Sequence, residues 1–161
     1  MTRSRYVLVV DDERECLELA SISLRLFGNF EVYQASDGPT AVSKARELKP
    51  DVILLDYYLT DTNGGEIVTA IRSEAELVDI PIVVYSGSPE AAREDPAITE
   101  DIQILAKPLA FHSVPLLFLS FAFPARQQAG GTWMISWQAP GREPRPDVTL
   151  TKESLSRRAG I

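Results

Sequence analysis

The sequence predicts an α/β fold, a doubly wound parallel sheet covered by helices, over roughly residues 6–108. Three observations predict it. The runs Tyr6–Val10, Val52–Leu55 and Ile80–Tyr85 are almost continuously apolar, as expected of parallel strands buried on both faces. The stretches between them carry apolar residues at helical spacing. The repeated strand–helix order implies right-handed crossovers and a sandwich of helices around one sheet.

Each element has a local reason. After the first strand, Leu17, Ala20, Leu24 and Phe27 recur at helical spacing through Glu13–Phe27, and Gly28-Asn29 supplies a stop. Phe30–Ala35 alternates apolar with polar residues, which suits a less buried strand near a sheet edge. A second helix fits Pro39–Leu48, with Asp37 or Gly38 at its start and Lys49-Pro50 at its end. A third fits Gly65–Arg72, a short one Glu90–Asp95, and Ile102–Leu105 closes the pattern as a fifth strand.

Beyond Pro108 the character changes. Pro115 bars a helix interior, so a fifth helix has to begin near Ser113. From Leu116 to Phe123 it would be apolar all round, whereas a surface helix needs one stripe. Gln127–Gly131 reads as a break and Trp133–Trp137 as a short strand. Ala139–Ile161, with Pro140, Pro144 and Pro146, reads as largely disordered. The expected division is a domain over 4–123, with an atypical last helix, and a partly disordered tail over 124–161. The tail's composition resembles translation in an altered reading frame, and its excess apolar surface points to a homodimer or partner contact.

A chain of 161 residues suffices for one well-cored domain and leaves no room for a second full one. The net charge of −7 argues against general nucleic-acid binding. It is uneven: residues 1–110 carry 10 Lys/Arg against 20 Asp/Glu, and residues 111–161 carry 6 against 3. The single Cys16 excludes an internal disulfide framework and suits a reducing compartment. Its simplest use is as a small apolar helix residue. His112, the single histidine, reads as a satisfied or solvent-facing side chain. No apolar run approaches the ~20 residues that span a bilayer, and no signal-peptide pattern opens the chain, so the expected location is the cytoplasm, with no membrane partner.

Four strands end in polar residues: Asp11-Asp12, Asp56, Ser86 and Lys107-Pro108. In an open parallel sheet the carboxyl ends of the strands form the ligand crevice. Three carboxylates gathered there repel one another, and one must take a proton unless a cation compensates. Mg²⁺ suits such a site, since it is held by carboxylates, waters and phosphoryl oxygens. Lys107 offers a point charge for those oxygens, Ser86 a hydroxyl, and Asp56 a nucleophile able to form an acyl phosphate.

These residues, in this order and spacing, resemble the receiver domain of two-component response regulators, and Asn63-Gly64 matches that family's Asp-Gly or Asn-Gly loop. The resemblance covers roughly residues 4–110. It implies a flavodoxin-like sheet of order 2-1-3-4-5, with Asp56 as phosphoacceptor and Asp12, Asp11 and the backbone carbonyl of Tyr58 serving Mg²⁺ alongside Asp56. It further implies that Ser86 is the switch hydroxyl, that Lys107 contacts the phosphoryl group, and that the Lys107-Pro108 bond is cis. The implied donor is a histidine kinase or a histidine phosphotransfer protein, with output through contact with a downstream protein rather than through enzymatic turnover.

Departures from the family concern regulation. Ile104 stands where an aromatic ring usually turns inward, which puts aromatic-coupled signalling in question. Thr60 stands where Pro is usual, and Tyr58 is bulky enough to shield an acyl phosphate from water. Two other readings compete. One is a receiver-fold scaffold acting by dimerisation without phosphorylation. The other is an aspartyl-nucleophile phosphohydrolase of the haloacid dehalogenase type, in which Tyr58 would occupy the place of the required second acid.

Overall fold

The computed structural model describes residues 5–28 and 30–108, together with three short strands at 125–128, 132–135 and 148–150. The first part is a five-stranded parallel sheet of order β2-β1-β3-β4-β5. Its strands are β1 (Arg5–Val10), β2 (Phe30–Ala35), β3 (Val52–Leu55), β4 (Ile82–Ser86) and β5 (Gln103–Ala106). The connecting helices are α1 (Arg14–Gly28), α2 (Gly38–Leu48), α3 (Gly64–Arg72) and α4 (Pro89–Glu94).

Alternation along the strands divides the core in two. Leu8, Val10, Ile53, Leu55, Ile82 and Val84 face α2, α3 and α4, packing with Ala41, Ala45, Ile67, Ile71 and Ala92. Val7, Val9, Val52, Leu54 and Val83 face the opposite way, with Leu17, Ala20 and Leu24 of α1. Since both faces are covered, β3 is buried at every residue, which explains its unbroken apolar run. Edge strand β2 alternates, with Glu31 exposed between Phe30 and Val32.

Helix ends follow from their side chains. Asp37 accepts the Thr40 N–H at 2.7 Å to start α2, and Pro39 lies in the first turn. Lys49 ends it at φ 44°, donating its N–H to the Ala45 carbonyl. Helix α3 begins one residue earlier than the spacing predicts, because Asn63 caps it by accepting the Glu66 N–H at 3.0 Å. Strand β4 begins at Ile82 rather than Ile80, since Ile80 N–H closes a turn onto the Leu77 carbonyl. Strand β5 lies one residue later than expected, so Ala106 pairs with Ser86 and Lys107 follows directly.

The remaining strands, β6 (Ala125–Gln128), β7 (Thr132–Ile135) and β8 (Val148–Leu150), form an antiparallel sheet with β7 in the middle. The expected strand at Trp133–Trp137 corresponds to β7. Its two partners were not predicted: β6 is Ala-Arg-Gln-Gln, without a β-branched residue, and β8 lies within the Pro-rich stretch read as disordered. The expected fifth helix and His112 lie outside the described residues.

Candidate functional site

The strand order reverses between β1 and β3, which makes a crevice at their carboxyl ends. Val10 and Leu55 are paired there, so Asp11 and Asp56 leave the sheet side by side. Backbone bonds hold both exits: Asp56 N–H donates to the Val10 carbonyl at 2.8 Å, and Asp11 N–H to the Ala35 carbonyl at 3.1 Å. Two strands away, Lys107 N–H donates to the Ser86 carbonyl at 2.8 Å, and the Lys107–Pro108 peptide is cis, as the resemblance implied.

The carboxylates of Asp11, Asp12 and Asp56 each offer an oxygen, all within 4.8 Å of one another. Lys107 reaches into this trio. Its Nζ lies 2.6 Å from Asp11 Oδ2 and 3.0 Å from Asp56 Oδ2, and 5.2 Å from the centre of the Tyr85 ring. Asp11 is 3% exposed, and its other oxygen accepts the Glu13 N–H at 2.9 Å. Asp12 is half-buried and turns instead to the loop after β3, where Thr60 donates both its N–H, at 2.7 Å, and its hydroxyl to Asp12 Oδ2.

Proton affinities follow this arrangement. Burial raises the Asp11 carboxyl above its ordinary value, against the Lys107 hydrogen bond and charge, which lower it. At Lys107 burial alone would lower the ammonium, but the hydrogen bonds and charges of Asp11 and Asp56 together outweigh it and raise the group. The two shifts pull in opposite senses on one contact. The lysine's direction governs, because it touches two carboxylates while Asp11 faces one ammonium and a second carboxylate. Lys107 is therefore a firmly held cation. Asp12 is lowered, first by the Thr60 hydroxyl, so it too stays ionised.

Ser86 ends β4, fully buried, and its hydroxyl accepts the Ser88 N–H at 3.1 Å. Tyr58 is 54% exposed, with its ring edge-on to Tyr57 at 4.9 Å. Its backbone bridges to Asn63, closing the 58–63 loop. Gly64 packs closely where this loop meets α3: an added Cβ would lie 3.1 Å from Tyr57 Cα and Cδ2, so Tyr57 would have to give by a few tenths of an ångström. The Cys16 thiol, pushed up to about 11 by the Glu13 hydrogen bond and by burial, is a protonated donor near neutral pH and no nucleophile.

The family model described as the response regulator receiver domain matches residues 7–115, well over half of the chain. The chain belongs to the response regulator receiver family. This receiver is 43% identical over 68 residues to the probable transcriptional regulatory protein TcrX of Mycobacterium tuberculosis, covering 42% of this chain and 29% of that protein. It is 42% identical over 81 residues to the transcriptional regulatory protein PrrA of Mycobacterium leprae, covering 50% of this chain and 34% of that protein. The aligned part thus spans about a third of the length of these curated relatives. Among solved structures, the chemotaxis response regulator CheY4 of Vibrio cholerae superimposes with a TM-score of 0.66 at 28% identity, over 74% of this chain and 99% of that one.

The structure brings Asp11, Asp12, Asp56 and Lys107 into one cluster and places Ser86 at the end of the neighbouring strand. Two further residues of this receiver's site escaped the sequence reading. Thr60 registered as a replacement for proline and as a residue that would suit a phosphohydrolase, not as a partner of Asp12, although the donors a proline lacks are what reach Asp12. Tyr57 drew no reading at all. It is buried, and its hydroxyl donates to Asp95 Oδ2 at 2.8 Å, tying the end of β3 to the end of α4. No local pattern pairs residues 38 positions apart.

Proposed function

We propose that this receiver takes a phosphoryl group on Asp56 from a phosphohistidine donor, a histidine kinase or a histidine phosphotransfer protein. The observation that carries this is Lys107 Nζ bonded at once to Asp56 and to Asp11 at the sheet's carboxyl edge. An Asp56 oxygen attacks phosphorus, the phosphorus–imidazole bond breaks, and the imidazole nitrogen is left to take a proton. Lys107, already within reach of Asp56, transfers its charge from the carboxylates to a phosphoryl oxygen. The Ser86 hydroxyl, which accepts the Ser88 N–H, donates its own O–H to a second phosphoryl oxygen.

The donor set fits Mg²⁺: hard carboxylate oxygens from Asp11, Asp12 and Asp56, close enough to share one ion. The Tyr58 carbonyl completes the protein ligands in this reading. Bound there, the ion neutralises charge on the transferring group. Tyr58 covers the acyl phosphate and slows its hydrolysis. Output passes by protein–protein contact over β4, α4 and β5 to a downstream target, without direct nucleic-acid binding. The setting is the cytoplasm, consistent with the described helices, none of which is long and apolar enough to cross a membrane.

Incubation with acetyl phosphate and Mg²⁺, read by intact mass, tests this. A gain of one phosphoryl group, absent in Asp56→Asn, supports it. Repeated turnover of the donor indicates a hydrolase, and no gain indicates a scaffold.

A further inference from the structure

Asp12 receives both donors of Thr60 on a single oxygen, Oδ2. Thr60 lies 48 residues away, in the loop that follows Asp56, so the contact joins the two stretches of chain that supply the carboxylates. A partly exposed aspartate not otherwise held samples several rotamers, and ordering it on ligand binding costs conformational entropy. Here that ordering is already in place. Proline, the residue the resemblance leads one to expect at this position, has neither an N–H nor a hydroxyl. Both donors therefore belong to the threonine.

We infer that Thr60 is a positioning residue for a divalent cation: it fixes Asp12 through Oδ2 and leaves the second carboxylate oxygen to serve the ion shared with Asp11 and Asp56. The inference rests on the reading of this carboxylate trio as a Mg²⁺ site. Groups that hydrogen-bond metal-ligating carboxylates orient them, and their loss commonly weakens metal affinity by about 10–100-fold. Thr60 occupies that place for Asp12.

Calorimetric titration of the full chain with Mg²⁺ tests it, using Thr60→Pro, Thr60→Val and Thr60→Ser beside the unsubstituted protein. Thr60→Pro, lacking both donors, is expected to weaken binding by about 10-fold or more. Thr60→Val, which keeps the N–H, falls between, and Thr60→Ser restores nearly full affinity. The rise in melting temperature on adding Mg²⁺ should shrink in the same order, while melting without Mg²⁺ reports any folding defect. Should Thr60→Pro fail to fold, the Val and Ser pair decides. Equal or tighter binding by Thr60→Val than by the unsubstituted chain overturns the inference and leaves the cation site standing. If the unsubstituted protein binds no Mg²⁺, the site reading falls, and the inference with it.

Discussion

The half of the sheet that carries the carboxylates and the half that carries Ser86 and Lys107 are built differently. Around β1 and β3 every strand residue from Val7 to Val10 and from Val52 to Leu55 is buried, and α2 and α3 begin with capping side chains from Asp37 and Asn63. Across the sheet, α4 has six residues, its N-cap Ser88 makes no capping hydrogen bond, and β5 buries one of its four residues. Crowding three acids together calls for a frame that holds them in place beside the Lys107 charge that offsets their repulsion. A surface proposed to change partner contacts gains from a thinner build, since switching elements come from the less stable parts of a fold. Tyr57 joins the halves through Asp95.

Core truncation should expose the contrast most strongly. Ile53→Ala, at a fully buried β3 position, is expected to cost about 3–4 kcal/mol in denaturant unfolding, and Ile104→Ala, half-buried in β5, about half as much. Equal losses would show that the two halves are equally packed.

The link between them comes next. Tyr57→Phe removes the hydroxyl donated to Asp95 and is expected to cost about 1.5 kcal/mol at neutral pH. Burial, and then the Asp95 hydrogen bond, push the Tyr57 phenol up to about 12 from 10.0. The fold thus favours the protonated form. Its contribution is fully present below pH 10 and fades as pH rises through about 12. Unfolding measured across that window should bring the unsubstituted protein toward Tyr57→Phe; a constant gap would mean that the phenol does not titrate there.

The caps should give the smallest difference. Asn63→Ala loses the bond to Glu66 N–H and is expected to cost about 1 kcal/mol. Ser88→Ala, which loses no side-chain cap bond, should stay within about 0.5 kcal/mol. Comparable costs for both would place a stabilising role on Ser88 that its side-chain geometry lacks.

Much of this contrast was visible in the residues. The unbroken apolar runs of β1 and β3, and the turn chemistry of Asp37, Pro39 and Lys49-Pro50, announced their elements locally. The weaker patterns at α4 and β5 were found with ends displaced by one residue. Strands β6 and β8 went unseen for different reasons: β6, a hairpin neighbour of β7, has no β-branched residue, and β8, Val-Thr-Leu, is three residues long inside a Pro-rich stretch and pairs with β7 across a gap of a dozen residues.

By itself the sequence determined the strand–helix alternation and the polar residue that closes each of four strands, because periodicity and turn chemistry act over a few neighbours. Family resemblance added the sheet order and the residue roles. Only the tertiary structure decided how the carboxylates divide their partners: Asp11 and Asp56 take Lys107, whereas Asp12 takes Thr60. That division depends on register and loop closure between residues 48–96 positions apart. Charge neutralisation at such range is settled by distance in space, on which spacing along the chain is silent.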